Sequence, residues 1–343
     1  MQITPLLRQK WQMVVGLLNN DARHYQLLFL STFFLTGMLT LHWNLIPYQL
    51  LFTFGTAVCT QLVLIKIFKL PITALKSAFI SSFSLSLLFK SDMWWVVMLA
   101  AFLGIASKGI FKVNKKHFFN PANFGICATI ILTHRGWISP GQWGSAGYWW
   151  FLIGMLGFIV ITSAHRMETA FAFLATYALL FGYRILVYQN WPSDFFFHQF
   201  TNGGLLLFTF FMITDPASTP SNKKARIAWA MAVGILAFYL QAYLWVTASP
   251  IWALFFLSPL TPAIDYFFKA EKFENIWIVK VTAYNKKAHE DMWRQLMTYI
   301  EVYLPDFDYS KYDDVISSVH LFGSIPYKTV SSSESAYQIG RAH

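Results

Sequence analysis

Apolar residues run almost without interruption through ten stretches of this chain. They span roughly His24 to Trp43, Tyr48 to Phe68, Ile72 to Phe89, Met93 to Gly109, Pro121 to Thr133, Trp149 to Ala164, Ala170 to Tyr188, Gln199 to Ile213, Ile227 to Val246 and Ile251 to Phe268. A hydrocarbon core about 30 Å thick needs about 20 such residues per helix. The pattern therefore predicts an all-α integral membrane protein of about ten transmembrane helices, with the fifth and eighth windows shorter than the rest. Residues 1–23 read as a cytoplasmic N-terminal arm with an interfacial helix around Trp11 to Leu18, rather than as a secretory leader. Residues 24–268 form the ten-helix domain, and residues 269–343 a small soluble α/β C-terminal tail. In that tail "NIWIVKVTAY" alternates like a strand, "KKAHEDMWRQLMTYIEVYL" has helical spacing, and "VSSSESAYQIGRAH" is polar enough to be mobile.

Composition agrees: 56% of the residues are hydrophobic and 12% charged, outside the range of soluble domains. Charge adds orientation. Of the 19 Lys and Arg residues up to Glu274, all but Lys90, Arg135 and Arg184 fall at one set of helix ends if both termini face the cytoplasm. That asymmetry is the positive-inside pattern, and it favours an even number of spans. The opposite edge gathers Trp43, Trp94, Trp95, Trp137, Trp149, Trp150, Trp191, Trp245 and Trp252, as an interfacial aromatic belt does. The lipid bilayer is thus the first partner, and the cations read as topogenic rather than as a nucleic-acid surface.

Two windows are interrupted. "FFNPANFGI" puts Asn120-Pro121-Ala122 at the start of the fifth, and "FFMITDPASTP" puts Asp215-Pro216-Ala217 at the end of the eighth. Proline removes a backbone donor, and hydrocarbon cannot satisfy the groups left behind. Broken helices in matching halves point to a binding site and to a five-plus-five inverted repeat. Asn120 and Asp215 could equally cap the broken helices, with Asp215 paired to Lys223 or Lys108.

The blocks "SAFISSFSLSLLF", "WWVVMLAAFLGIASKGIF", "NKKHFFNPANFGI" and "FTNGGLLLFTFFMITDPASTP" resemble the NqrB/RnfD family of membrane electron-transport subunits. The resemblance implies ten helices in the bacterial inner membrane, flavin (FMN or riboflavin), Rnf/Nqr-like redox partner subunits, and a quinone or other membrane acceptor. It makes the chain a subunit of an ion-translocating oxidoreductase. The family anchors FMN covalently on the Thr of a Ser-Gly-Ala-Thr motif in the loop after the Asn-Pro-Ala helix. Here that loop reads "RGWISPGQWGSAGYWW", without threonine, so covalent FMN is not expected. In this respect the chain is similar to the divergent UnbU-like branch. What the resemblance leaves is a non-covalent flavin site at Asn120, Asn123, Thr214, Asp215, Ser218 and Thr219. The alternative is a flavin-free transporter or channel for a small solute on the same scaffold.

A polar stripe in the third window (Ser77, Ser81, Ser84) and Thr201 with Asn202 at the eighth could line a pathway. Small residues at that spacing also let helices pack closely. Cys59 and Cys127 lie in apolar windows and read as small buried hydrophobes. No metal-ligand spacing, phosphate loop or nucleophile elbow is present.

Overall fold

The structure, a computed structural model, describes residues 22–40, 47–114, 116–139, 147–200 and 202–269. The N-terminal arm, Thr201, most of the loop after the fifth window and the C-terminal tail lie outside them. The described residues all belong to one compact unit, Met1–Glu274.

Every apolar window is helical, with its ends set by local chemistry. In chain order the helices are α1 (Ala22–Thr40), α2 (Pro47–Phe68), α3 (Leu75–Leu88), α4 (Trp94–Ile110), α5 (Pro121–Thr133), α6 (Gly147–Ser163), α7 (Met167–Gly182), α8 (Ser193–Phe200), α9 (Gly203–Leu207), α10 (Lys223–Ala242), α11 (Ser249–Leu257) and α12 (Thr261–Phe267). Two π turns extend them, Tyr183–Tyr188 after α7 and Phe208–Met212 after α9. Among the described residues three stretches are long and apolar enough to cross a bilayer unaided: Gln49–Phe68, Met167–Tyr188 and Lys223–Ala242.

Two windows differ from the expectation of single helices. The eighth is split: α8 ends at Phe200, and Asn202 starts α9 afresh by accepting the Gly204 amide at 2.8 Å. The tenth is interrupted at Ser258–Leu260, where Pro259 and Pro262 cannot donate to the helical ladder and a tight 3₁₀ turn joins α11 to α12. Two short antiparallel pairs, β1 (Phe89–Lys90) with β4 (Trp137–Ile138) and β2 (Lys112–Val113) with β3 (Lys116–His117), close loops that the apolar pattern left open.

The packing repeats itself. In the first half α1 lies on α3, α2 on α4 and α4 on α5; in the second α6 lies on α9, α7 on α10 and α10 on α11. The halves meet through α1 with α6 and α5 with α11. Phe119 and Phe124 stack near Phe255, while Asn123 and Cys127 sit beside the Ile251 carbonyl, so α5 and α11 cross antiparallel near their starts. The two halves show the same contact pattern, and the Asn-Pro and Asp-Pro motifs do not fall at equivalent helices of the halves. Ser91-Asp92, after the third helix of the first half, answers to Thr214-Asp215. Asn120-Pro121, opening the fifth helix, answers to Ser249-Pro250.

Glycine permits the closest contact. A Cβ on Gly125 would lie 2.3 Å from the Ala100 carbonyl oxygen, and one on Gly104 would lie 2.6 Å from that of Pro121. The backbones of α4 and α5 therefore touch, as small residues allow in membranes. Outward, Leu39, Leu51, Ile110 and Leu179 are exposed, as are Trp94, Trp137, Trp191 and Trp245 near helix ends. This distribution is that of a multi-pass membrane protein.

Candidate functional site

The two interrupted windows converge. Asn120 is the N-cap of α5: its Oδ1 accepts the Asn123 amide at 3.2 Å, and Pro121 fills the first helical position, where no donor is needed. Its Nδ2 donates to the Met212 carbonyl at 3.3 Å and reaches Asp215 Oδ2 at 3.5 Å. The π turn Phe208–Met212 brings that partner to it, since the Ile213 amide returns to the Phe208 carbonyl and the extra residue re-aims Thr214 and Asp215.

Asp215 organises its own turn. Oδ1 accepts the Ala217 amide at 3.0 Å and Oδ2 accepts the Ser218 hydroxyl at 3.0 Å. Thr219 donates to the Asp215 carbonyl and Thr214 to the Phe210 carbonyl, both from buried positions. Asn120 is therefore a helix cap, whereas Asp215 closes a turn that starts no helix. The pairing of Asp215 with Lys108 or Lys223 is not what holds it, and Lys108 turns to Ser77 at 3.0 Å and Gln61 at 3.4 Å.

Asn123 is fully buried at the crossing of α5 and α11. Its Nδ2 donates to the Ile251 carbonyl at 2.7 Å, but its Oδ1 has no hydrogen-bond partner. An orphaned buried acceptor is uncommon and calls for an explanation such as a ligand or an ion. Around it Phe111, Phe119, Phe124 and Phe255 form an aromatic cluster.

Charged groups that the sequence did not single out clamp the loop after Asp215. Lys116 pairs with Asp265 at 2.8 Å, donates to Ser221 Oγ at 3.1 Å and also reaches the Thr219 carbonyl. Asp265 in turn accepts the Ser221 amide at 2.7 Å. From the other side Arg226 donates to the Pro220 and Ser221 carbonyls at 3.1 and 3.0 Å and pairs with Glu168. Burial holds the Lys116 ammonium below its usual range, with Asp265 opposing. No local motif announces these pairs, because the partners lie up to 149 positions apart.

The remaining residues of the Ser stripe divide. Ser81 and Ser84 bond back to the Ser77 and Ile80 carbonyls, while Ser77 receives Lys108. Asn202 is occupied as the cap of α9, away from the two motifs in its bonding.

His117, next to Lys116, is largely buried, and its Nδ1 has no hydrogen-bond partner. Burial lowers its pKa from 6.5, Lys108 and Lys112 push the same way, and Asp215 opposes them. A histidine depressed in the folded state favours folding above its unfolded pKa, and that contribution is lost as pH falls through the folded value. Thermal stability of the full chain in detergent is therefore expected to drop between about pH 7.5 and about pH 5.5, and His117→Gln to flatten that slope. Parallel profiles for the two proteins would refute the assignment.

With this geometry in view, the protein is a multi-pass helical membrane protein with a polar junction built from two broken helices. Residues 131–274 match the model of the NQR2, RnfD, RnfE family, a segment holding Thr214, Asp215, Ser218 and Thr219 but beginning after Asn123. Similar proteins include an ion-translocating oxidoreductase complex subunit of Pseudomonas aeruginosa, 29% identical over 131 residues, 37% of this chain and 38% of that protein. The protein of the same name in Cellvibrio japonicus is 26% identical over 156 residues, 42% of each chain. Over this segment the chain is similar to the NQR2, RnfD, RnfE family, and its alignments span only about two fifths of the length of these curated relatives.

Proposed function

We propose that this protein is the membrane-embedded subunit of an ion-translocating oxidoreductase complex, crossing the inner membrane ten times with both termini cytoplasmic. The family match and the names of the relatives support that reading. Its partners are redox subunits of the Rnf/Nqr kind, and electrons pass toward a quinone or another membrane acceptor.

The observation that carries a cofactor role is the orphaned Asn123 Oδ1, buried beside the junction of Asn120 with Met212 and Asp215. The donor set fits a non-covalently held flavin. Asn123 Oδ1 would accept from a ring N–H, the half-buried Asp215, with the buried Ser218 hydroxyl bonded to it, would meet ribityl hydroxyls, and the phenylalanine cluster would face the ring. A bound flavin supplies one- and two-electron transfer. Asn120 fixes the spacing of the two broken helices, and Thr214 and Thr219 hold the loop that presents Asp215.

The test is an absorption spectrum of detergent-purified full chain, followed by acid precipitation. Flavin is expected in the supernatant, and is expected to be lost in Asp215→Ala and Asn120→Ala. A colourless, well-folded wild type would sink the cofactor role and leave a flavin-free solute transporter on this scaffold. Flavin retained in the precipitate would overturn non-covalent binding.

A further inference from the structure

Helices α2, α3 and α4 enclose a polar seam inside the first half. On α2, Gln49, Thr53, Ala57 and Gln61 recur every fourth residue and are all buried. On α3, Ser81, Ser82 and Ser86 are buried as well. Both ends of the seam are junctions of the same three helices. At one end Lys108 of α4 donates to Gln61 of α2 and Ser77 of α3. At the other, Gln49, Thr53, Ser86, Phe89, Val97 and Ala100 line a small cavity.

The cavity end is unfinished. Ser86 Oγ is buried and has no partner, while Gln49 spends its amide on the Ser91 carbonyl at 2.6 Å and Thr53 donates to the Gln49 carbonyl. A donor without an acceptor, with Gln49 and Thr53 beside it in the otherwise apolar wall of the cavity, suits a single water molecule. Lys90 closes this end by donating to the Ser86 carbonyl at 2.9 Å.

From Val97 to Lys108 the helix rises about 16 Å, roughly half the hydrocarbon thickness. Along that distance the buried polar side chains of α2 and α3 are hydroxyls and amides. Ser81, Ser82 and Thr53 give their hydrogens to the carbonyl four residues back and keep lone pairs free. Among the described residues of the seam's interior Lys108 is the titratable one, and its bonded partners are neutral oxygens. An ionisable residue so placed in a membrane marks a pathway by default, because burying it without a carboxylate is costly. Small side chains line the seam between these helices: Ala57, Ala78 and Ala100 are all essentially fully buried.

We propose that this seam is a proton path with Lys108 as its gate. The inference rests on the ion-translocating reading above. A proton enters beside Ser86, passes over water and hydroxyls, and is taken by Lys108 after its ammonium has given up a proton on the other side. Release regenerates the amine, toward the side where Asp215, His117, Lys112 and Arg23 bear on Lys108 or its neighbours electrostatically. The Lys76 and His24 pair stands on the adjoining helices α3 and α1.

The test uses the full chain in vesicles containing a pH-sensitive dye, with a potassium diffusion potential as the driving force and radioactive sodium uptake measured in parallel. Wild type is expected to take up protons above protein-free vesicles, and Lys108→Met to fall to the protein-free level. Lys108→Arg keeps a cation and its hydrogen bonds but cannot release a proton, so it is expected to fall equally, whereas a structural role would be rescued by it. Paired substitution of Thr53→Val and Ser86→Ala is expected to slow uptake without unfolding the protein. Proton uptake absent in wild type, or retained in folded Lys108→Arg, overturns the proposal. Sodium uptake without proton uptake overturns it too, while leaving the ion-translocating reading intact.

Discussion

Arg226→Met is expected to lower the stability of the membrane domain by about 3 kcal/mol, the lower end for breaking a buried ion pair from one side. The guanidinium is 4% exposed and holds three groups at once: the Pro220 and Ser221 carbonyls and the Glu168 carboxylate. Removing it strands two carbonyls and a carboxylate at the start of α7. Thermal unfolding of purified protein measures the loss, and proteolysis at the 213–222 loop should become faster. Arg226→Lys restores the charge without the planar fork, so it is expected to recover only part of the stability. Arg226→Met with Glu168→Leu should lie closer to wild type than Arg226→Met alone, because no carboxylate is then left without its partner. Equal stability of Arg226→Met and wild type would show that the clamp is idle.

Gly125→Val is the second large effect, expected at about 3 kcal/mol or more. Its Cβ would meet the Ala100 carbonyl oxygen at 2.3 Å and the Gly104 backbone at 3.1 Å. Those atoms are backbone of two packed helices, so neither can rotate away. Separating α4 from α5 would in turn draw Asn120 off the Met212 carbonyl, and the variant should lose monodisperse yield and any bound flavin together. Gly55→Ala is the control. A Cβ there meets nothing within 4 Å, and replacing a mid-helix glycine is expected to be neutral or to stabilise by about 0.5–1 kcal/mol. Comparable losses in both variants would mean that close approach at Gly125 is not what sets the effect.

Much of the architecture was legible because the bilayer imposes a simple code. Long apolar runs became helices at their expected places, and Asn120-Pro121 became a capped helix start because cap and proline chemistry are local. The division of the eighth window was harder to read, since Asn202-Gly203-Gly204 can open a helix or merely loosen one. The true internal counterparts were visible only as types: Ser91-Asp92 resembles Thr214-Asp215, and Ser249-Pro250 resembles Asn120-Pro121. Nothing in a linear pattern says that these fall at matching helices of the two halves. The loop clamps and the link from Lys108 to Gln61 and Ser77 were illegible for a different reason. A lysine near a helix end normally marks the membrane surface, and only packing reveals that this one turns inward.

The antiparallel crossing of α5 and α11 also has a consequence for synthesis. Asn123 finds its acceptor at Ile251, 128 positions later in the chain. Until that residue leaves the ribosome and enters the bilayer, the Asn123 amide at the start of α5 lacks its carbonyl acceptor and has only the weaker Met212 sulfur to meet. The first half must therefore wait, inserted but unfinished, for the last helices of the second half to lock it.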